Sequence, residues 1–254
     1  MSTRSTVTTL QDLAQHLGVH KSTVSRAMDA DRRHLVAADL LQRIEAAARE
    51  LGYRPNHAAS ALSRGRSKTV GVLVPDITNP VFPPILRGIE DALDEEGYFA
   101  LLANTLRPDS SVDAAQVAVE RMQAQRVEGF LVATATRDDQ WLESLRQSGT
   151  QIVLVNRTDG RGHLPAVISD DMLGMRLAVD HLVALGHQRI AHLAGPATLS
   201  TGLARRLGFE QAMRQHGLNA KAVALAETYT VESGEVAMQT LLAKRAQTQF
   251  TAVV

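Results

Sequence analysis

Three small or apolar residues near the N-terminus have the spacing of a helix-turn-helix motif. Ala14 falls on a helix with apolar residues at helical spacing, Gly18 stands at the expected turn, and Val24 lies on a second short helix. The small side chain of Ala14 lets the second helix approach closely, and Val24 returns into the core between them. Such a second helix lies in the major groove of DNA with its N-terminal side chains against base edges. The alternative interpretation is an ordinary helical hairpin.

The chain carries no motif typical of catalysis or metal binding. It contains no G-x-G-x-x-G after a strand, no G-K-[ST] phosphate loop and no G-x-S-x-G nucleophile elbow. It has no cysteine, which excludes disulfides, cysteine-ligated zinc and a thiol nucleophile. His181, His187 and His192 are close in sequence, but they are predicted on a helix, in a turn and in a strand, which is poor metal-ligand geometry. We therefore expect no enzyme, no cofactor and no metal site.

The N-terminal segment that would position the motif is predicted to be helical. A capping-box pattern at Thr9–Asp12 opens the first helix, because the threonine oxygen can accept from free backbone amides of the first turn. A second helix is predicted over Lys21–Met28 and a third over about Ala38–Leu51, with Gly52 at a left-handed C-cap.

After residue 68 the pattern changes to short β-branched runs separated by helical stretches. The predicted strands are Thr69–Pro75, Phe99–Ala103, Gly129–Ala133, Ile152–Asn156, Ala166–Ser169, Arg189–Ala194 and Thr251–Val254. The predicted helices are 84–96, 112–126, 138–148, 172–185, 203–216 and 233–245. This alternation predicts an α/β body with a doubly wound parallel sheet, and continuously apolar strands agree with a sheet covered on both faces.

The charge distribution separates these two parts although the chain is neutral overall. Residues 1–68 carry 11 basic and 6 acidic side chains of the 27 of each kind, which leaves 16 basic and 21 acidic for the remainder. A basic head on an acidic body indicates a segment that binds nucleic acid. No apolar run is long enough for a membrane helix, and the N-terminus lacks a secretory signal, so we expect a cytoplasmic protein without a membrane partner.

Residues 53–68 join the head to the body and are basic and rich in small side chains. One or two helical turns are predicted from Asn56 to Leu62, with Asn56 as N-cap. A helix that short is marginal alone in water, so we expect it to need a partner.

The sequence resembles the lac repressor family of bacterial transcription regulators over essentially its whole length. The resemblance rests on TLQDLAQHLGVHKSTVSRAMD, on AARELGYRPNHAASALSRGRSKTVGVLVPDITNPVF, and on GMRLAVDHLVALGHQRIAHLAGP with ARRLGFEQAM in the body. It implies a helix-turn-helix head, a hinge helix and a two-lobed body like that of periplasmic binding proteins.

The resemblance also implies DNA-contacting positions. Lys21, Ser22 and Arg26 match base-reading positions, although Lys21 as a plain phosphate contact stays an alternative. Thr9, Thr23 and Ser25 are better placed for phosphates. Asn56 in the hinge is also expected to contact DNA. Leu62 matches the family's leucine that enters a central base step of the minor groove. The alternative for Leu62 is packing of the linker on the body.

Two departures from the family pattern concern helix caps. His20 stands where the family has serine as N-cap of the second helix, so that cap is expected to be weaker or made differently. Ala37 replaces the polar cap of the third helix, and the preceding segment Ala30–Leu35 is longer than usual. Contacts from that segment are therefore not carried over.

An effector cleft is implied beyond the carboxyl ends of the body strands, where open α/β sheets bind ligands. By resemblance it is lined by Asn79, Phe82, Asn156 and Arg205. Arg206 is the alternative to Arg205 if the helix register shifts by one, and Asp170 is expected to cap the helix that begins near Met172. Asparagine and arginine donors with an aromatic platform suit the hydroxyl pattern of a sugar.

These features predict a sequence-specific transcription regulator, with repressor favoured, that binds a palindromic operator in double-stranded DNA as a homodimer or dimer of dimers and responds to a small effector. The predicted domains are a head at 1–55, a hinge at 56–68 and a body at 69–254. One rival is a freestanding periplasmic-type sugar-binding protein, and another is a DNA-associated sugar-modifying enzyme. The basic head opposes the first, and the missing nucleophile motif opposes the second.

The C-terminal segment Phe250–Val254 reads as an apolar strand after the sixth predicted body helix. The family's body continues beyond the corresponding point. We therefore expect a truncated chain whose second lobe is incomplete and exposes an apolar sheet edge.

Overall fold

A computed structural model of the chain describes residues 8–29, 32–54, 66–105 and 114–254. The chain divides into two units, Met1–Ser67 and Lys68–Val254. We call the first the head and the second the body.

The described residues of the head form three α-helices, with a single-turn 3-10 helix between the last two. These are α1 (Leu10–Leu17), α2 (Lys21–Ala27), the 3-10 helix Arg33–Leu35 and α3 (Ala38–Glu50). Their shared core is formed by Leu13, Ala14, Val24, Ala27, Ile44, Ala47 and Ala48. The predicted spacing is confirmed, since Ala14 and Val24 are both buried in this core.

Glycines end two of the head helices as predicted. Gly18 has φ 66° and its amide donates to carbonyls in the last turn of α1, and Gly52 after α3 has φ 63°. These left-handed conformations suit glycine because it has no Cβ to clash with the backbone. Gly18 therefore makes the tight turn that brings α2 back onto α1.

The first lobe of the body contains a five-stranded parallel sheet. Its strands are β1 (Thr69–Val74), β2 (Phe99–Asn104), β3 (Gly129–Val132), β4 (Gln151–Val155) and β5 (Ala166–Val167), in the order β2-β1-β3-β4-β5. The intervening helices are α4 (Phe82–Glu95), α5 (Ala114–Ala124) and α6 (Gln140–Gln147).

Alternate residues of the central strands enter cores on opposite faces of this sheet. Leu73 packs with residues of α5 and α6, whereas Val72 and Val74 pack with Phe82 and the rest of the apolar face of α4. Burial on both faces explains why the central strands are continuously apolar. The predicted doubly wound α/β fold is confirmed.

The second lobe contains a three-stranded parallel sheet in the order β7-β6-β8. The strands are β6 (Ile190–Ala194), β7 (Val223–Leu225) and β8 (Ala252–Val253), and the helices are α7 (Asp171–Ala184), α8 (Ser200–Gln215), α9 (Val231–Ala243) and the short α10 (Arg245–Thr248). Sequence analysis missed β7 and α10, because segments of three and four residues carry too little periodicity to stand out. No helix among the described residues is both long and apolar enough to cross a lipid bilayer.

Helices α7 and α8 approach closely at Gly208. A Cβ atom at Gly208 would lie 2.9 Å from the Cα and from the carbonyl oxygen of Met172. Both atoms belong to the backbone of α7, so neither can move aside as a flexible side chain could. This close approach determines how α8 lies on the lobe.

The substitution Gly208→Ala is expected to destabilise the body by about 1–3 kcal/mol, because overpacking forces α7 and α8 apart. The matched control is Gly174→Ala on α7, where a Cβ would meet nothing within 4 Å. The control should be neutral or stabilise by about 0.5–1 kcal/mol, since alanine restricts the unfolded chain. Urea unfolding of both variants gives the two free energies, and equal changes would contradict the close approach.

Candidate nucleic-acid interface and ligand cleft

Helix α2 separates its side chains into a buried and an exposed face. Val24 and Ala27 are buried in the core of the head. Four of the predicted DNA-contacting side chains lie on the exposed face, namely Lys21, Ser22, Ser25 and Arg26. Thr23 is partly buried beside them. The structure therefore leaves two cations and two hydroxyls of α2 accessible to a partner.

Thr9 has a structural role at the start of α1. Its amide donates to Asp12 Oδ2 at 2.7 Å, and Asp12 N donates to Thr9 Oγ1 at 3.3 Å. The predicted capping box is thereby confirmed. The bond from the Thr9 amide is the main cause that lowers the pKa of the Asp12 carboxyl, and the Thr9 hydroxyl, 2.8 Å from Asp12 Oδ2, lowers it further. A phosphate contact from Thr9 stays a prediction.

Both departures from the usual helix caps have visible consequences. His20 is the N-cap of α2, and its Nδ1 accepts from the amide of Ser22 at 3.3 Å and lies 2.8 Å from Ser22 Oγ. The cap is thus made by an imidazole nitrogen instead of a hydroxyl. Ala37 at the start of α3 makes no side-chain cap. The predicted hinge residues Asn56 and Leu62 lie outside the described residues.

Hydrogen bonds from the first lobe to the second bring the carboxyl ends of their strands together. Thr158 N donates to Ser200 Oγ at 2.8 Å, and Arg137 N donates to the carbonyl of Thr198 at 2.9 Å. Arg137 Nη1 also donates to the carbonyl of Ala197 at 3.3 Å. The segments after β3 and β4 therefore face the start of α8.

Two polar residues follow β4 at this edge. Asn156 is partly buried and adopts φ 65°, a left-handed conformation that asparagine tolerates better than most residues. Arg157 is only 8% exposed, and its Nε has no hydrogen-bond partner among the described residues. Burial lowers the pKa of the Arg157 guanidinium, with a raising effect from Tyr229 and a further lowering effect from Arg205. Sequence analysis selected Asn156 and missed Arg157.

Arg205 faces the cleft from the second lobe. Its Nε donates to Asp171 Oδ1 at 2.7 Å, and its guanidinium carbon lies 5.7 Å from the centroid of the Tyr229 ring. Arg206 instead points along the same helix to Glu210 at 3.0 Å. The predicted position of Arg205 near the start of its helix needs a correction. Helix α8 begins at Ser200, so Arg205 lies in the second turn.

Tyr229 is a further cleft residue that sequence analysis missed. Its hydroxyl lies 3.3 Å from Thr201 Oγ1, and its ring packs so tightly against Gly195 that a Cβ there would come within 2.4 Å of the hydroxyl oxygen. Gly195 in the AGP turn was a possible signal, since a glycine often marks a close approach. Nothing in the sequence indicated which side chain approaches it.

The two predicted cleft residues after β1 have structural roles. Asn79 Oδ1 accepts from the amide of Val81 at 3.1 Å in the turn before α4. Phe82 is 2% exposed and packs in the core beneath β1. Neither observation tests contact with a ligand, which stays a prediction for both. Asp170 caps α7 by accepting from Leu173 N at 2.9 Å, as predicted.

The three histidines weighed as metal ligands have separate surroundings. His187 Nδ1 lies 2.9 Å from Thr251 Oγ1, His192 is buried and stacks on Phe209, and His181 is on α7. Within the parts of the chain that the structure describes, no group of three or more histidine, aspartate or glutamate side chains could hold a metal ion.

Comparison with known families agrees with this architecture. Residues 67–254 match the family of periplasmic binding proteins and sugar binding domains of the LacI family, and residues 9–56 match the bacterial regulatory proteins of the lacI family. A helix-turn-helix head on a two-lobed ligand-binding body defines a class of bacterial regulators. The chain belongs to the LacI family.

Individual relatives agree with this assignment. The chain is 35% identical over 225 residues to the HTH-type transcriptional regulator PtxS of Pseudomonas plecoglossicida. The matched segment covers 88% of this chain and 65% of the relative. It is 30% identical over 209 residues to the ribose operon repressor of Halalkalibacterium halodurans, covering 82% of this chain and 60% of the relative. It therefore spans less than two thirds of either relative.

The structure also resembles that of the lac repressor dimer bound to operator and the anti-inducer ONPF. The TM-score is 0.81 at 28% identity, and the match covers 97% of this chain and 73% of the other.

The imidazole cap predicts a measurable contribution to the stability of α2. His20→Ala removes the acceptor for Ser22 N and should lower the protection of the α2 amides against hydrogen exchange by about 0.5–2 kcal/mol. His20→Ser supplies a hydroxyl acceptor at the same position and should keep that protection. Hydrogen–deuterium exchange of α2 amides measures this effect, with α7 in the body as internal reference. His16→Ala, an exposed histidine on α1, is the matched control. Unchanged exchange in His20→Ala would refute the capping role.

Proposed function

We propose that this chain is the DNA-binding and effector-binding part of a transcription regulator that represses by binding a palindromic operator as a dimer. The observation that carries the proposal is the exposed face of α2, where Lys21 and Arg26 stand beside two hydroxyls on a basic head. A recognition helix needs this combination, because cations and hydroxyls read base edges and contact phosphates.

The roles on this face differ. Arg26 lies one turn into α2 and is proposed to read a guanine, since arginine bonded to O6 and N7 is the commonest specific contact in the major groove. Lys21, in the first turn, contacts either a base or a phosphate. Thr9, Thr23 and Ser25 are proposed as phosphate contacts that orient the head without reading sequence.

The cleft of the body is the proposed effector site. Asn156, Arg205 and, less directly, Asn79 and Phe82 surround the carboxyl ends of the strands, where α/β sheets bind small molecules. A sugar or related metabolite fits the family match of the body and the name of the ribose operon repressor. Effector and operator are then coupled reciprocally, since each changes the affinity for the other by the same factor.

The alternatives have less support. A freestanding sugar-binding protein has no use for a basic helix-turn-helix head, and relatives of this chain are named as transcription regulators. An enzyme would need a nucleophile or cofactor motif, and the sequence contains none of those sought. We accordingly propose a non-catalytic protein that acts in the cytoplasm on chromosomal DNA.

The direct test is selection of binding sites from a library of random-sequence duplexes, followed by mobility shift on the selected site. A palindromic site bound by two chains is expected, because two heads related by a two-fold axis read two half-sites. Failure to enrich any sequence, or tight binding of one chain to a single half-site, would contradict the proposal.

Single substitutions on α2 separate base reading from phosphate contact. Arg26→Ala should weaken binding by about 1–3 kcal/mol and relax preference at one base position of each half-site. If Lys21 contacts a phosphate, Lys21→Ala should weaken binding to all sequences alike and reduce the salt slope by about 1 per head. Mobility shifts on variant sites at several salt concentrations distinguish these outcomes.

The matched control is Arg49→Ala on α3, which removes an exposed cation of the same head but away from α2. It should change specific binding by less than either α2 variant. An equal loss for all three would indicate general electrostatic attraction instead of a recognition helix.

A second prediction concerns the hinge residue Leu62, for which a wedge in the minor groove is proposed. Leu62→Ala should reduce the bend of the operator and weaken specific binding, because the wedge unstacks a base step at a cost of about a few kcal/mol that the contacts of the bent duplex offset. Non-specific binding through the basic head should change little. Energy transfer between fluorophores at the operator ends measures the bend, and an unchanged bend and specific affinity would reassign Leu62 to packing of the linker.

A further inference from the structure

The buried guanidinium of Arg157 is the unusual polar group of the body. Arg157 is 8% exposed, yet its Nε has no hydrogen-bond partner among the described residues. Its side chain has no carboxylate within ion-pair distance in that part of the chain. Buried arginines are normally paired, because removing an unpaired charge from water costs several kcal/mol.

The nearest buried carboxylate in sequence does not compensate this charge. Asp159 is 4% exposed, and its Oδ1 accepts from the amides of Arg161 at 3.1 Å and Gly162 at 3.4 Å. It shapes the loop after β4 instead of pairing with Arg157. The positive charge of Arg157 is thus held at the edge of the cleft without an internal partner.

A second arginine adds to the positive charge at the same place. Arg205 comes from the opposite lobe, on the helix whose first residue, Ser200, accepts a hydrogen bond from the amide of Thr158 next to Arg157. Burial is the main cause that lowers the pKa of Arg157, and Arg205 lowers it further. Arg205 itself pairs with Asp171, since its Nε lies 2.7 Å from Asp171 Oδ1. Of these two guanidinium groups, only that of Arg205 has a carboxylate partner among the described residues.

A further polar atom at this edge also lacks a partner. Thr134 follows β3, the strand beside β4, and its buried Oγ1 makes no hydrogen bond among the described residues. A hydroxyl donor and a guanidinium donor thus follow the carboxyl ends of neighbouring strands. Unsatisfied buried groups in a native structure often mark a functional site.

We propose that the effector is an anion bearing a carboxylate or phosphate group, held between Arg157 of the first lobe and Arg205 of the second. This inference rests on the effector cleft proposed above and specifies the chemical class of its ligand. Arginine suits this role because its planar donors match two oxygens of a carboxylate or phosphate at once. A neutral sugar would leave the guanidinium of Arg157 without an opposite charge.

The fold supports binding of an anion energetically. The side chain of Arg157 is 8% exposed, so much of its desolvation has already occurred on folding, before the ligand arrives. Preorganised donors of this kind raise affinity, because less side-chain freedom is lost and less desolvation is needed on binding. Binding should accordingly be much stronger for a charged ligand than for a neutral one of the same shape.

The experiment measures binding of matched ligand pairs to the chain in the absence of DNA. The pairs are D-gluconate with D-glucitol, D-glucuronate with D-glucose, and D-glucose 6-phosphate with D-glucose, with inorganic phosphate alone as the smallest anion. Calorimetry gives affinity, and ¹H–¹⁵N spectra follow the Nε–H signal of Arg157, assigned by its loss in Arg157→Lys. At least one anion is expected to bind and to shift that signal, while its neutral partner does not.

Variants assign the binding to Arg157. Arg157→Met should weaken binding of the anion by about thirtyfold or more, as expected for loss of one partner of a buried charge pair. Its thermal midpoint without ligand should be equal or higher, because the unpaired buried charge is gone. A purely structural arginine would give the opposite, a lower midpoint. The matched control Arg206→Gln removes the neighbouring paired cation and should change affinity at most about fivefold.

Each outcome decides the proposal. Binding of a carboxylate but not a phosphate, or the reverse, identifies the source of the anionic group. The inference is overturned if no anion perturbs Arg157, if the neutral partners bind equally well, or if Arg157→Met binds anions like the unaltered chain. Operator selection is independent of these measurements, so a chain that selects a palindrome but binds no anion would retain the proposed function and lose only this inference.

Discussion

The hydrogen bond from Thr158 N to Ser200 Oγ links the two lobes of the body at the edge where their strands end. It joins the residue after Arg157 to the first residue of α8, and Arg205 lies in the second turn of the same helix. This contact therefore holds the segment after β4, which carries Arg157, beside the start of α8, which carries Arg205. The bonds from Arg137 to residues 197 and 198 act in parallel, so that the lobes are joined by backbone groups as well as side chains.

The parallel sheets explain why polar residues gather at this edge. Both faces of the central strands are covered by helices, which leaves the strand ends as places where polar side chains can leave the core. At the end of β4 the chain turns through the left-handed conformation of Asn156 and immediately places Arg157 in a buried position. Such conformations are sparsely populated, and they concentrate where the surrounding structure holds them for function.

Sequence reasoning succeeded where the signal was local. The spacing of Ala14, Gly18 and Val24, and the cap at Asp170, depend on neighbours within a few residues, so the pattern determines them. Element types in the body followed from periodicity, although boundaries shifted, as at the start of α8. The three-residue strand β7 is defined by its pairing with β6, a contact that periodicity does not encode.

The same reasoning reached less far where a position depends on distant partners. The burial of Phe82 in the core under β1 is not revealed by residue type alone, and its predicted contact with a ligand stays a prediction. Tyr229 reaches the cleft because Gly195 leaves room for its ring.

The case of Arg157 shows why burial matters more than residue type. An arginine after a strand is ordinarily read as a solvated surface group. It becomes informative only because the side chain is buried and its Nε has no hydrogen-bond partner among the described residues. Because Arg157 and Arg205 belong to different lobes, a ligand whose negative charge is held by both guanidinium groups would bind the two lobes to each other.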